Sequence, residues 1–403
     1  MAIIKEIKIR KILNSRGDST VEVDIVTGKG VGCAAAPSGA STGVHEVQSY
    51  PKEGIDYAID SFKRKYTHRL VGTDVSDQRS FDELLHELDS TDNFSNMGGN
   101  ISTVVSMAAA KASAMENNLP LYRYLGGEID FTLPYPFGNV LNGGRHAVGS
   151  TDIQEYLVVS LGKNIAGNVF ANSLAHKKVK EKLMRLFPDS AIGKGDECGW
   201  VARIGNIPAL EVVAEACREA SGEASFDINP SLDFAASEFF DDGKYVYKEQ
   251  KLDTDGQIEF VSELVEKYNI YMVEDPLNEE EFDGYAKLTK RIGNRCLVVG
   301  DDIFTTNKNR LERGINKKAA NAILVKVNQI GTITDTLETV RLAHKNGYKT
   351  IISHRSGETC DDTIAHLAVA FGCHGIKTGV VGGERIAKLN ELIRIEEDIM
   401  ANR

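Results

Sequence analysis

The sequence predicts an α/β protein: a C-terminal (β/α)8-type barrel over residues 132–403, preceded over 1–125 by a smaller α+β domain of a β-meander plus helices. Three observations carry this. Six short apolar, strand-like runs, 226–233, 270–274, 296–301, 322–326, 350–354 and 375–377, recur along the second half with helical patterns between them. Each ends on a polar or charged residue, namely Asp233, Glu274, Asp301, Lys326, His354 and Lys377, and these lie 23 to 41 positions apart. That interval fits one strand, one helix and two loops, the unit of a parallel sheet. Finally, 403 residues exceed the roughly 250 that a barrel uses, which leaves room for a second domain.

The elements follow in order. Residues 3–13 and 21–26 alternate apolar with polar, and Thr27-Gly28-Lys29-Gly30 turns the chain into 31–36, giving the meander. Helical periodicity covers 54–66, 80–88 and 101–115, the last rich in alanine and suited to close packing. Pro134 and Pro136 lead toward Asn142-Gly143-Gly144 and open the second domain. Beyond it, helices are expected at 257–268, 279–292, 309–319, 332–346 and 361–371. At least six strand–helix units favour a parallel barrel over an open sheet.

Composition narrows the function classes. A net charge of −11 argues against nucleic acid as the main partner, because phosphate backbones are bound through basic patches. A small anionic substrate remains open to it through local cations. No apolar run approaches the roughly 20 residues of a membrane span, so no membrane partner is expected. The start of the chain lacks the apolar core of a signal peptide. Six cysteines without a CxxC pair read as reduced thiols, and a cytoplasmic protein is expected.

At a barrel mouth these residue types can do chemistry. Asp233, Glu274 and Asp301 would repel one another unless neutralised, and a divalent cation on oxygen ligands does so economically. Taken singly, each is equally well a helix N-cap or loop residue. Lys326 or Lys377, crowded by a metal ion and a second ammonium, has its charged form disfavoured and can act as a base; the alternative is anion binding or pairing with the carboxylates. Arg355 and Ser356 suit a phosphate or carboxylate, and Arg355 could instead pair with Glu358 or Asp361. Glu155 and Glu197 are candidates for a tuned general acid, and 37–43 has the small polar composition of a mobile lid.

Together the motifs resemble the enolase family over nearly the whole chain. They include Ser15-Arg16-Gly17, the SGASTG loop at 38–43, Asn142-Gly143-Gly144 with His146, Gln154-Glu155 and Gly195-Asp196-Glu197. Leu232-Asp233, Val273-Glu274-Asp275-Pro276, Gly300-Asp301-Asp302 and Lys326-Val327-Asn328-Gln329 follow. Ser353-His354-Arg355-Ser356-Gly357, Ile376-Lys377-Thr378-Gly379 and Arg394-Ile395-Glu396 complete the set. The compact form is similar to archaeal members.

The resemblance implies reversible dehydration of 2-phosphoglycerate to phosphoenolpyruvate, in glycolysis and gluconeogenesis, with two Mg²⁺ per site. It implies Asp233, Glu274 and Asp301 as ligands of the first ion and Ser41 at the second. Lys326 would take the carbon 2 proton, and Glu197, assisted by Glu155, would protonate the departing hydroxyl. Arg355 and Ser356 would grip the phosphate and Lys377 the carboxylate, with His146, His354 and Gln154 lining the pocket. The family also implies a homodimer or homo-octamer, with Glu22 and Arg394 matching an intersubunit ion pair.

Departures from the common pattern cluster near the site. They are the segment 45–50 after the lid, Arg145, Val148-Gly149, Cys198, Trp200-Val201-Ala202-Arg203 and Gly382-Gly383. Two other readings stand beside the main one: a related enzyme acting on a different carboxylate, and a non-catalytic scaffold of the same fold.

Overall fold

A computed structural model describes residues 1–39, 43, 45–127 and 130–402. Glu6–Leu13, Ser19–Val26 and Val31–Ala35 form an antiparallel meander in that order. Its alternation places Ile9, Val21, Val23, Ile25 and Ala34 inward, and the second and third strands pack on the helix Gly99–Glu116. Gly32 is needed there, since a Cβ would come within 2.0 Å of the Ala108 carbonyl oxygen. The alanine run of that helix is buried throughout, as close packing requires.

Eight strands close into a barrel. In chain order they are Tyr135–Asn142, Glu155–Ser160, Ile228–Asp233, Met272–Glu274, Leu297–Gly300, Ala322–Val325, Lys349–Ser353 and Gly375–Gly379. The last pairs in parallel with the first, Lys377 opposite Phe137, and so shuts the ring. Phe137, Leu157, Val159, Met272, Val299, Ala322, Leu324 and Ile351 pack together as a cluster of their own, as layers of branched and aromatic side chains do in such barrels.

The fold class is as expected, but the sheet is not wholly parallel. Glu155–Ser160 runs antiparallel to both neighbours, with Asn142 opposite Glu155 and Glu155 opposite Asp233. The link after the first strand holds a single 3-10 turn, Gly144–His146, in place of a crossover helix, so the chain returns as a hairpin. Two successive helices, Ile165–Leu186 and Asn206–Ala224, then lead to the third strand.

From the third strand onward the strand–helix alternation holds. Thr254–Tyr268, Phe282–Ile292, Lys308–Lys317, Ile333–Lys345 and Thr363–Ala370 match the expected helices to within a few residues. Asp253, Asn307 and Thr332 cap three of them by accepting backbone N–H bonds. Asp233 and Glu274 end their strands, and Asp301, Lys326 and His354 each stand one residue beyond theirs. Lys377 differs from expectation: it lies in the middle of Gly375–Gly379.

Candidate active site

Because the second strand runs backward, its first residue, Glu155, faces the same mouth as the last residue of the third strand, Asp233. Around that mouth Asp233, Glu274, Asp301, Glu155, Glu197, Lys377, His146, His354, Arg355 and Ser356 are all at least nine-tenths buried. They line one cavity together with Gln154, Lys326 and Glu46, Glu274 excepted, which lies behind Lys377. Ser41 lies outside the described residues.

The carboxylates divide between two ammonium groups. Lys377 Nζ lies 3.1 Å from Asp233 Oδ2, 2.8 Å from Glu274 Oε2 and 3.2 Å from Glu155 Oε1. Asp301 pairs with Lys326 and accepts from Gln329 Nε2 at 3.0 Å. Burial, reinforced by Asp233, pushes Glu274 up to about 8, and burial with Asp301 does the same to Asp302. The mouth therefore holds more buried carboxyl groups than its two lysines could neutralise were all of them ionised. An oxygen-rich set of this kind fits a hard divalent cation.

Asp275, beside Glu274, escaped attention as a site residue. Its backbone is left-handed at φ 40, which aims its carboxylate back at the next strand end. There it accepts the N–H of Asp301 at 3.0 Å, the N–H of Asp302 at 2.7 Å and the Tyr285 hydroxyl at 2.9 Å. It thus fixes the loop that presents Asp301. A second acidic residue next to a strand-end carboxylate was the available signal.

Lys326 departs from expectation in its charge. Burial disfavours the ammonium, but contact with Asp301 outweighs burial and holds its pKa above the ordinary value. Lys377 is likewise held well above its ordinary value: Asp233, Glu155 and Glu274 overcome the cost of burial.

Glu197 sits in a turn where Gly195 and Gly199 flank it closely; a Cβ on Gly199 would lie 2.6 Å from Asn142 Oδ1. Asn139 Nδ2 donates to Glu197 Oε2 at 3.0 Å, and His354 Nε2 lies 3.1 Å from the same oxygen. His146 Nδ1 is 3.6 Å from Glu155 Oε1. Burial and the neighbouring Glu197 raise Glu155 well above the carboxylate range. Burial opposes charge on Glu197 too, but His354, His146 and Arg385 hold it well below that range. The two carboxyls are thus pushed in opposite directions, Glu155 toward its neutral form and Glu197 toward its charged form.

Arg355 pairs with neither Glu358 nor Asp361 through its side chain. Its guanidinium donates to both Glu46 oxygens at 3.1 Å and to Asn328 Oδ1 at 2.9 Å. Glu358 accepts the Arg355 backbone N–H instead, and Asp361 holds Lys111. Ser356 Oγ and Glu155 Oε2 are buried without a hydrogen-bond partner among the described residues. Such orphaned groups in a native site call for an incoming polar partner. The lid stem is tied to this loop: Ser38 and Gly357 exchange backbone hydrogen bonds of 2.7 and 2.8 Å.

Of the departures from the family pattern, Glu46 enters the cavity and pairs with Arg355. Arg145 Nε lies 2.5 Å from Glu238 Oε2, Val148 is 94% exposed, and Cys198 adopts a left-handed φ of 62. Trp200 donates to the His176 carbonyl and lies between Lys180 and Lys194, each 5.0 Å from its ring.

A barrel mouth that gathers buried carboxylates with two lysines and two histidines defines the class: an α/β-barrel protein with an acid–base site whose oxygen-rich lining suits a divalent cation. Two family models cover the chain, the enolase N-terminal domain over residues 4–125 and the enolase C-terminal TIM barrel domain over 130–403. The chain belongs to the enolase family. It is 53% identical to the enolase of Methanothermobacter thermautotrophicus, over 100% of this chain and 98% of that one. It is 50% identical to that of Methanocorpusculum labreanum, over 98% and 100%, and 47% identical to that of Picrophilus torridus, over 98% and 99%.

Proposed function

We propose that the chain is a phosphopyruvate hydratase, a lyase that reversibly dehydrates 2-phosphoglycerate to phosphoenolpyruvate in glycolysis and gluconeogenesis. The observation that carries this is the meeting of Lys326 with Asp301, Lys377 with Asp233 and Glu274, and the carboxyls of Glu155 and Glu197 at one barrel mouth. Absorbance of enolpyruvate appearing from 2-phosphoglycerate, with Mg²⁺ and then with a chelator, tests it. No signal from folded, metal-loaded protein would end the reading in favour of a different carboxylate substrate.

Asp233, Glu274 and Asp301 would hold Mg²⁺, and Ser41 would serve a second ion in this reading. Bound there, Mg²⁺ would neutralise the acidic cluster and stabilise charge developing on the substrate carboxylate. The enolase superfamily is itself the general example of a lysine or histidine base working beside Mg²⁺. Lys326, released from Asp301 and having given up its ammonium proton to solvent, would take the proton from carbon 2 as a neutral amine. Lys377 faces the carboxylate, and Arg355 and the unpartnered Ser356 hydroxyl take the phosphate. The Glu155–Glu197 pair delivers its proton to the leaving hydroxyl through Glu197, with His146, His354 and Gln154 closing the pocket around it.

Cation loading should release protons. Glu274 lies at about 8 in the folded chain against an ordinary 4.5, so near pH 7 it carries a proton that a cation must displace. The raised value means that its contribution to the stability of metal-free protein is full below 4.5 and is lost as pH rises through about 8. The increase in Tm on adding Mg²⁺ should therefore grow from pH 6 to pH 9. Titration calorimetry in two buffers of different ionisation enthalpy should show proton release at pH 7, and equal heats in both would sink the idea.

A homodimer, or an octamer of such dimers, completes the reading, with the meander of one subunit against the barrel of the next. Within one chain Glu22 accepts from Arg10 and Arg394 donates to Glu391 at 2.6 Å, so the proposed pairing would exchange or share these partners. Leu13, 70% exposed at the end of the first strand, gives that face an apolar component. Light scattering after size exclusion should report a multiple of 44.1 kDa, and the single-chain mass would remove the proposal. The compartment proposed is the cytoplasm, with neither nucleic acid nor membrane as a partner; among the described residues no helix is long and apolar enough to cross a membrane.

A further inference from the structure

We infer that Arg385 is a positioning residue for the acid–base pair: its guanidinium fixes His354 as the Nε2–H tautomer, turned toward the carboxylate of Glu197. The inference deepens the reading above and takes its catalytic meaning from it. Arg385 lies on the last helix, Gly383–Ala401, and is 0% exposed. A guanidinium so far from water is costly unless its N–H groups all find acceptors.

Most of them do. Nη1 donates to His354 Nδ1 at 2.8 Å and to the Arg355 carbonyl at 2.6 Å. Nη2 donates to the Ser356 carbonyl at 2.6 Å and to the Asp196 carbonyl at 3.3 Å, while Nε, 3.4 Å from Glu384, has no hydrogen-bond partner among the described residues. The carbonyl contacts join the turn that carries Glu197 to the loop that carries His354. A purely structural clamp would need no more than these.

The contact to the ring is different in kind. Guanidinium has donors only and keeps its proton, so Nδ1 of His354 must offer its lone pair. A proton on Nδ1 would set N–H against N–H at 2.8 Å. The single proton of the neutral ring is thereby placed on Nε2, 3.1 Å from Glu197 Oε2, the oxygen that also takes the Asn139 amide. Asn139 donates to that oxygen and the Nε2 proton faces it, and the partner that fixes one ring nitrogen decides what the other can do.

Long-range ¹H–¹⁵N spectra of the full-length, Mg²⁺-loaded protein labelled in histidine test this, with His354 assigned by its loss in His354→Gln. The wild type should show a lone pair on Nδ1 and a proton on Nε2. Arg385→Lys keeps the charge but cannot serve the ring and two carbonyls together. It should mix the tautomers and lower kcat by about 10- to 100-fold, with KM changed by less than about threefold. A proton on Nδ1 in the wild type, or an unchanged tautomer in the folded lysine variant, overturns the inference. If the variant does not fold, the wild-type spectrum alone decides. Turnover of the same wild-type sample separates the two readings: an inactive protein with the Nε2–H tautomer would remove the reaction and leave the positioning intact.

Discussion

Replacement of Lys326 by alanine should abolish exchange of the carbon 2 proton of 2-phosphoglycerate with solvent. It should also lower turnover by roughly 10²- to 10⁴-fold, the share a positioned general base supplies. The side chain stands just past the sixth barrel strand against Asp301, and no second lysine shares its place: Lys377 is engaged by Asp233, Glu274 and Glu155. Removing one partner of a buried pair leaves the other charge uncompensated, at about 3–5 kcal/mol. The variant is therefore to be compared by Tm with and without Mg²⁺ before its rate is interpreted. Residual exchange at the wild-type rate in folded Lys326→Ala would mean that another group takes the proton.

Glu197→Gln should separate the two halves of the reaction. The substitution preserves shape and leaves an oxygen for Asn139 Nδ2, but removes the charge to which the neighbouring carboxyl hands its proton. Carbon 2 exchange should continue while dehydration falls by about 10²- to 10⁴-fold. Because burial and Glu197 together push Glu155 toward its neutral form, Glu155→Gln should show the same split. Loss of exchange in Glu197→Gln as complete as in Lys326→Ala would break the division of roles.

Much of this site was legible because a βα barrel writes its mouth at a regular interval. Asp233, Glu274, Asp301, Lys326 and His354 come at or one residue beyond strand ends, where an apolar run stops abruptly. Strand direction was not legible. All six residues of Glu155–Ser160 are buried, so no alternation marks a face, and an apolar run does not say which way it runs. The antiparallel turn, and with it Glu155 at the beginning of a strand, follows from a connection that lacks a crossover helix. Lys377 was picked out as a run end, but its true place at mid-strand was not legible, since the strand continues past it through Thr378 and Gly379. The Arg355–Glu46 contact joins residues 309 positions apart, which spacing cannot reveal, and the raised pKa of Lys326 depends on one contact rather than on its setting.

Lys377 also lies on the strand that shuts the ring against the first strand. The seam of the barrel is thus fastened electrostatically as well as by its ladder. If Gly375–Gly379 swung away from Tyr135–Asn142, three buried carboxylates on the second, third and fourth strands would lose their shared ammonium at once. The chemistry of the mouth acts as a clasp on the scaffold that displays it.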